Sequence, residues 1–193
     1  MGLDMYLNKM PRYRGATAKD VSAVEAYLDW QKAKEKGSEY AQGTFKDWCG
    51  ADKIPHQKYI HFYSNHYIHR YPVWDTEKKY GYSRIMEQVG CWRKANHIHN
   101  WFVENIQNGE DDCDYHREVT KKDLEELLNV CNEVLCNNTL AESLLPTCSG
   151  FFFGGTNYDE YYVRDIEETI DIITKVLETT DFKNEMVYYV SSW

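Results

Sequence analysis

The sequence lacks any long apolar run. No segment approaches the ~18–20 uninterrupted hydrophobic residues that a membrane-spanning helix needs, so no membrane association is expected. The opening MGLDMYLNK has neither a basic stretch nor an apolar core of the export type. Tyr6 also stands where a myristoylation signal requires Ser or Thr. Positive charge is scarce as well, with 22 Lys+Arg against 31 Asp+Glu and a formal net charge of −9. A binder of long nucleic acid neutralises phosphates with a basic face, so long nucleic acids are excluded as partners. The six cysteines contain no C-x-x-C pair, and they read as reduced thiols of a cytoplasmic protein.

Rings are what the chain has instead: 16 Tyr, 7 Phe and 6 Trp, 15% of the residues. Disordered chains are poor in aromatics, and 193 residues suffice for one domain with a real core. Tyr outnumbers Phe more than twofold, which favours half-buried positions where a hydroxyl meets water or ligand. So aromatic a surface leads us to expect self-association as a homo-oligomer.

The elements follow from periodicity. Gly2 to Met10 alternates Leu3, Met5 and Leu7 with polar residues, a half-buried strand. Thr17 to Lys36 carries Val21, Val24 and Leu28 at helical spacing and stops at Gly37. Residues 38–88 are crowded with Tyr, His and Trp, and read as an aromatic insertion or lid within a single domain, 1–193. There the echo of YIHFY (59–63) and YIHRY (67–71) around Ser64–Asn65 predicts a β-hairpin. Gly90 to Gln107 predicts a helix closed by Asn108–Gly109, and a short strand is expected before Val119. Thr120 with Asp123 opens a helix whose stripe is Leu124, Leu127, Leu128, Cys131, Val134 and Leu135. Phe151–Phe153 between glycines predicts a buried strand turning at Gly154–Gly155, followed by a helix with Tyr162, Ile166, Ile170, Ile173 and Leu177. MVYYVSSW (186–193) is a last strand, expected to pair with the first because lone terminal strands fray. The fold class is therefore α+β: a small antiparallel or mixed sheet including both terminal strands, packed by three to four helices.

The helix predicted through WRKANHIHNWF (92–102) carries the first candidate for chemistry. At about 100° per residue, Cys91, Ala95, Ile98, Phe102 and Ile106 face the core. Arg93, His97, Asn100 and Glu104 share the opposite arc, with Asn96 at its edge and Trp92 and Trp101 flanking it. Such a face is ordinarily only solvated. Two Asn, mediocre helix formers, beside a guanidinium and an imidazole make it instead a candidate for holding an anion or a nucleobase edge. The Gly154–Gly155 turn before a helix is a second candidate, with Tyr158 and Phe153 as a stacking wall. Asp159 and Glu160 in that helix's first turn oppose a phosphate there.

His56, His61, His66 and His69 form a third cluster, but no Cys, Asp or Glu lies at ligand spacing beside them, and no metal is expected. Neither GKS/T, GxGxxG, G-x-S-x-G, H-E-x-x-H nor a serine–lysine pair occurs, so no catalytic residue and no cofactor is assigned. Arg93 with His97 is also compatible with acid–base work on a phosphoester.

GLDMYL (2–7), VGCWRKANHIHNWF (89–102), LLPTCSGFFFG (144–154), YDEYY (158–162) and YYVSSW (188–193) together resemble a family of small bacteriophage and mobile-element proteins with no assigned activity. The resemblance implies a life in the host cytoplasm and a role against host defence. That role would be sequestration of a nucleotide immune signal, of the cyclic ADP-ribose or cyclic nucleotide type, or inhibition of a host defence protein. Sequestration matches the candidate pocket best, which comprises Trp92, Arg93, Asn96, His97, Asn100, Trp101, Phe153 and Tyr158. A nucleotide-processing enzyme built on Arg93 and His97, and a protein inhibitor using the ring-rich 38–88 surface, are the alternatives.

Overall fold

The computed structural model describes residues 2–50, 54–70 and 82–193. In chain order the elements are β1 (Asp4–Pro11), α1 (Ala18–Glu35), α2 (Phe45–Cys49), α3 (Gln57–Ser64), β2 (Ile68–Arg70) and β3 (Tyr82–Arg84). They continue with β4 (Glu87–Arg93), α4 (Asn96–Ile106), α5 (Lys121–Cys136), α6 (Ala141–Leu144), α7 (Glu160–Thr179) and β5 (Glu185–Ser192). The chain divides into two compact units, one made of 1–9 with 88–193 and the other of 10–87.

The first unit is an α+β assembly. Its antiparallel sheet has the order β4-β1-β5, so both terminal strands belong to it and the first lies at the centre. The alternation in β1 does what it predicted: Leu3, Met5 and Leu7 are fully buried. Lys9 pairs with Glu185 across to β5 at 3.5 Å. The α5 stripe buries Leu124, Leu127, Cys131 and Val134, and the α7 stripe buries Tyr162, Ile166, Thr169, Ile173 and Val176. These two helices pack on each other. Thr120 and Asp123 close the expected capping box on α5, and Arg117 grips the same Asp123 carboxylate with both guanidinium ends at 2.8 and 3.1 Å.

The second unit contains α1 and its neighbours α2, α3 and β3. Thr17 caps α1 with Asp20 in a capping box, as the sequence pattern implies. β2 and β3 form an antiparallel pair with Ile68 opposite Arg84. Tyr59 and Tyr63, four residues apart on one face of α3, are buried and donate their hydroxyls to the Gly15 and Pro11 carbonyls at 2.7 and 3.1 Å.

Four expectations are corrected. The predicted hairpin at 59–63 and 67–71 is replaced by α3, because Tyr59 and Tyr63 bury as an i, i+4 pair, and Asn65 is the helix C-cap rather than a hairpin turn. The end of that echo, at 71, lies outside the described residues. The predicted helix from Gly90 is a strand up to Arg93, in which Gly90 and Trp92 point inward while Cys91 is exposed. Pairing with β1 outweighs the local helical pattern there, and helix geometry resumes at Asn96. Phe151–Phe153 forms a turn and not a strand, with Phe151 and Phe152 exposed and only Phe153 buried. Phe152 adopts φ 67 and Gly154 φ 98, which no strand accommodates. Before Val119 there is only the isolated bridge from Glu118 to Tyr188.

Among the described residues, no helix is long and apolar enough to cross a membrane.

Candidate functional site

Where β4 ends, Lys94 takes a left-handed turn (φ 64) and its amide donates to the Leu3 carbonyl at 2.8 Å. The chain thereby leaves the sheet and enters α4 within two residues. Ala95 is the N-cap and offers no side-chain acceptor. The first-turn amides of α4 therefore lack the side-chain oxygen that Thr17, Thr44, Thr120 and Asp159 supply at α1, α2, α5 and α7.

Asn96 follows, with 1% of its surface exposed. Its Nδ2 donates to the carbonyls of Gly155 at 2.8 Å and Phe153 at 3.3 Å, and its Oδ1 accepts the Cys148 amide at 3.1 Å. One buried carboxamide thus fixes the 146–157 loop against the start of α4. Gly154 in that loop combines φ 98 with a Cα so close to Lys94 that a Cβ would sit 3.1 Å from its carbonyl oxygen, which only glycine accommodates.

The loop, the β4–α4 turn and the first turns of α7 enclose a cavity of about 230 Å³. Arg93, Lys94, Asn96, His97, Tyr161, Tyr162, Arg164 and Asp165 are on its wall, with Thr147, Asn157, Asp159 and the two loop glycines. His97 is 2% exposed, its ring packs on Tyr162 at 4.2 Å between centroids, and its Nε2 has no hydrogen-bond partner. Burial alone pushes its pKa down to about 3, so the imidazole is neutral at every physiological pH. Tyr162 donates its hydroxyl to the Leu145 carbonyl at 3.0 Å, and burial raises its pKa. Burial likewise pushes the Asp165 carboxyl up to about 6, against the pull of Arg164 and with help from Glu168 and Asp159.

The wall carries three permanent cations, Arg93, Lys94 and Arg164, against two carboxyls. Arg93 approaches Asp4 at 3.7 Å with both side chains well exposed, a weak contact. Arg164 lies over the Tyr161 ring, 5.1 Å from its centroid. A local excess of cations inside a chain of net charge −9 is what a small anion requires.

Of the residues read from the sequence, the structure brings Arg93, Asn96 and His97 together at this cavity. Because 90–93 is strand, the expected wheel does not exist: Arg93 extends from the end of β4, and His97 is buried instead of lying on a solvated arc. Trp92, Trp101 and Phe153 belong to the hydrophobic core, and Trp92 donates Nε1 to the Thr169 hydroxyl at 2.9 Å. Asn100 is half-buried and off the cavity wall. Tyr158 is half-buried too, with its hydroxyl 3.4 Å from the Thr147 amide. The aromatic wall is Tyr161 and Tyr162 in place of the expected tryptophans. Lys94, Arg164 and Asp165 were missed, since nothing local in the sequence says that α7 begins beside β4.

A second buried network was also missed. His99, 1% exposed, meets Asp111 through Nε2 at 3.0 Å and Tyr189 through Nδ1 at 2.7 Å. Nε2–H donates to the carboxylate, which can only accept, so Nδ1 accepts from the phenol. Burial holds the His99 pKa down more strongly than Asp111 raises it, so the ring is neutral. Trp193 donates to the same Asp111 oxygen at 3.1 Å, so the network ties β5 and the chain end to α4. Of the four expected histidines, His56 caps α3 through Nδ1 and His66 meets the Phe62 carbonyl at 3.1 Å. His61 lies exposed on α3, not opposite His69 on a hairpin strand.

No known protein family, curated protein or solved structure matches the chain.

Proposed function

We propose that this protein binds and holds a small phosphate-bearing ligand of nucleotide type, without transforming it. The observation that supports this reading most is the start of α4, which no side chain caps although the Asn96 amide itself donates to the Lys94 carbonyl at 2.9 Å, flanked by Arg93 and Lys94 beside a buried imidazole that lacks a partner. Helix N-termini favour anions through free amides and the helix dipole, and the unpartnered Nε2 of His97 is a buried polar atom that a ligand can satisfy. A cavity of about 230 Å³ is smaller than the ~300–1,000 Å³ of pockets that enclose drug-sized ligands. It suits part of a single nucleotide, with the remainder at the mouth. A neutral His97 without a hydrogen-bonded nucleophile favours holding over turnover. On the resemblance to phage proteins, the ligand would be a host immune signal, such as a cyclic ADP-ribose or cyclic nucleotide, withdrawn from its receptor in the host cytoplasm.

Calorimetric titration with inorganic phosphate, mononucleotides and cyclic ADP-ribose tests the reading. Binding is expected for phosphate-bearing ligands, weakened at least tenfold by Lys94→Glu, with the ligand recovered intact after denaturation. Silence across the panel overturns the proposal, and recovery of an altered molecule replaces it with a nucleotide-processing enzyme.

A further inference from the structure

The cavity holds two carboxyls that differ in what they already do. Asp159 is engaged as the N-cap of α7, where its Oδ1 accepts the amides of Tyr161 and Tyr162 at 3.0 and 3.3 Å. Asp165 has no hydrogen-bond or ion-pair partner for its carboxyl among the described residues. The adjacent Arg164 does not supply one, because its guanidinium lies over the Tyr161 ring. The Asp165 carboxyl is half-buried yet still reaches solvent at the cavity wall, so it is open to a donor on a ligand, whereas a bare phosphate on the cationic wall would leave it unused and add repulsion. The ligand that satisfies the whole cavity therefore presents an anion to Arg93 and Lys94 and N–H donors to Asp165.

A carboxylate offers two coplanar oxygens and is best matched by two parallel N–H groups. Among the common bases, guanine alone carries such a pair, N1–H beside the exocyclic 2-amino group. Adenine and cytosine set an amino group beside a lone pair, and hypoxanthine keeps N1–H but has no 2-amino group. The Tyr161 ring with Arg164 on it extends the planar surface on which a base stacks.

We propose that the cavity selects guanine nucleotides, the Asp165 carboxylate accepting from N1–H and the 2-amino group while Arg93, Lys94 and the start of α4 hold the phosphate. This rests on the nucleotide reading above and names its substrate class. Because the Asp165 carboxyl is ionised only above about 6, the selectivity belongs to neutral and alkaline solution. In its protonated form the carboxyl presents one donor and one acceptor, the complement of adenine.

The experiment is calorimetry at pH 8 with inorganic phosphate, GMP, IMP and AMP, repeated at pH 5. GMP is expected to bind about tenfold tighter than IMP and AMP at pH 8, with the margin over AMP shrinking at pH 5. Asp165→Asn should lower GMP to the level of IMP while binding phosphate at least as tightly as the parent protein, since it removes a negative charge and no cation. Equal affinity for GMP and IMP in the parent protein overturns guanine selection and leaves the phosphate site standing. An Asp165→Asn variant that keeps the GMP preference overturns the role of Asp165. Failure of all four ligands to bind overturns the nucleotide reading itself.

Discussion

Asn96 donates from Nδ2 to the Gly155 carbonyl at 2.8 Å while its Oδ1 accepts the Cys148 amide at 3.1 Å. The candidate cavity therefore has its loop held from the inside by one side chain that is itself inaccessible. At the start of α4 any polar residue keeps the helix, but only a carboxamide provides donor and acceptor together in that position.

The first prediction concerns this clamp. Asn96→Ala leaves the Cys148 amide and two loop carbonyls without their partner, and should lower stability by about 2 kcal/mol, the usual cost of orphaned buried groups. Asn96→Asp should cost more at neutral pH, because a carboxylate would face the Phe153 and Gly155 carbonyls. Urea denaturation measures both. An unchanged midpoint for Asn96→Ala would mean that the loop is held by other contacts.

The second concerns His97 and acid. Its folded pKa of about 3 lies below the ordinary 6.5, so the unfolded chain takes up this proton first as pH falls. The contribution is fully present above 6.5 and is progressively lost on acidification down to about 3. His97→Phe, which keeps a ring against Tyr162, should flatten the decline of thermal midpoint between pH 6.5 and 4 relative to the parent protein. Parallel declines in the two proteins would show that the imidazole is solvated.

The third has the opposite sign. The Asp165 pKa is raised from 3.8 to about 6 by burial, so the folded state prefers the protonated acid. Its contribution to stability is fully present below 3.8 and is lost as pH rises through 6. Asp165→Asn should therefore raise the thermal midpoint at pH 7.5 by more than it does at pH 4. Equal changes at both values would count against a desolvated carboxyl.

Much of the architecture could be read locally. Thr120 with Asp123, and Thr17 with Asp20, announce helix starts because a hydroxyl and a carboxylate three residues apart satisfy each other's backbone whatever lies around them. The alternation of Leu3, Met5 and Leu7 and the stripe through Ile166 and Ile173 likewise depend only on near neighbours in sequence; the pairing of the two terminal strands is expected on the different ground that a lone terminal strand frays. Gly90 to Arg93 could not be read this way. Its spacing fits a helix, and only hydrogen bonding to β1, some 85 positions earlier in sequence, makes it a strand with Trp92 inside and Cys91 outside.

The candidate site divides along the same line. Sequence by itself singled out Arg93, Asn96 and His97, which the structure brings to one cavity, because unusual polar residues near a helix start are visible without coordinates. Tertiary structure alone decided that His97 is buried and neutral, that Trp92, Trp101 and Phe153 are core, and that Lys94, Arg164 and Asp165 share the cavity. The reason is physical: burial, desolvation and convergence are set by segments far apart in the chain, and no local periodicity encodes which of them meet.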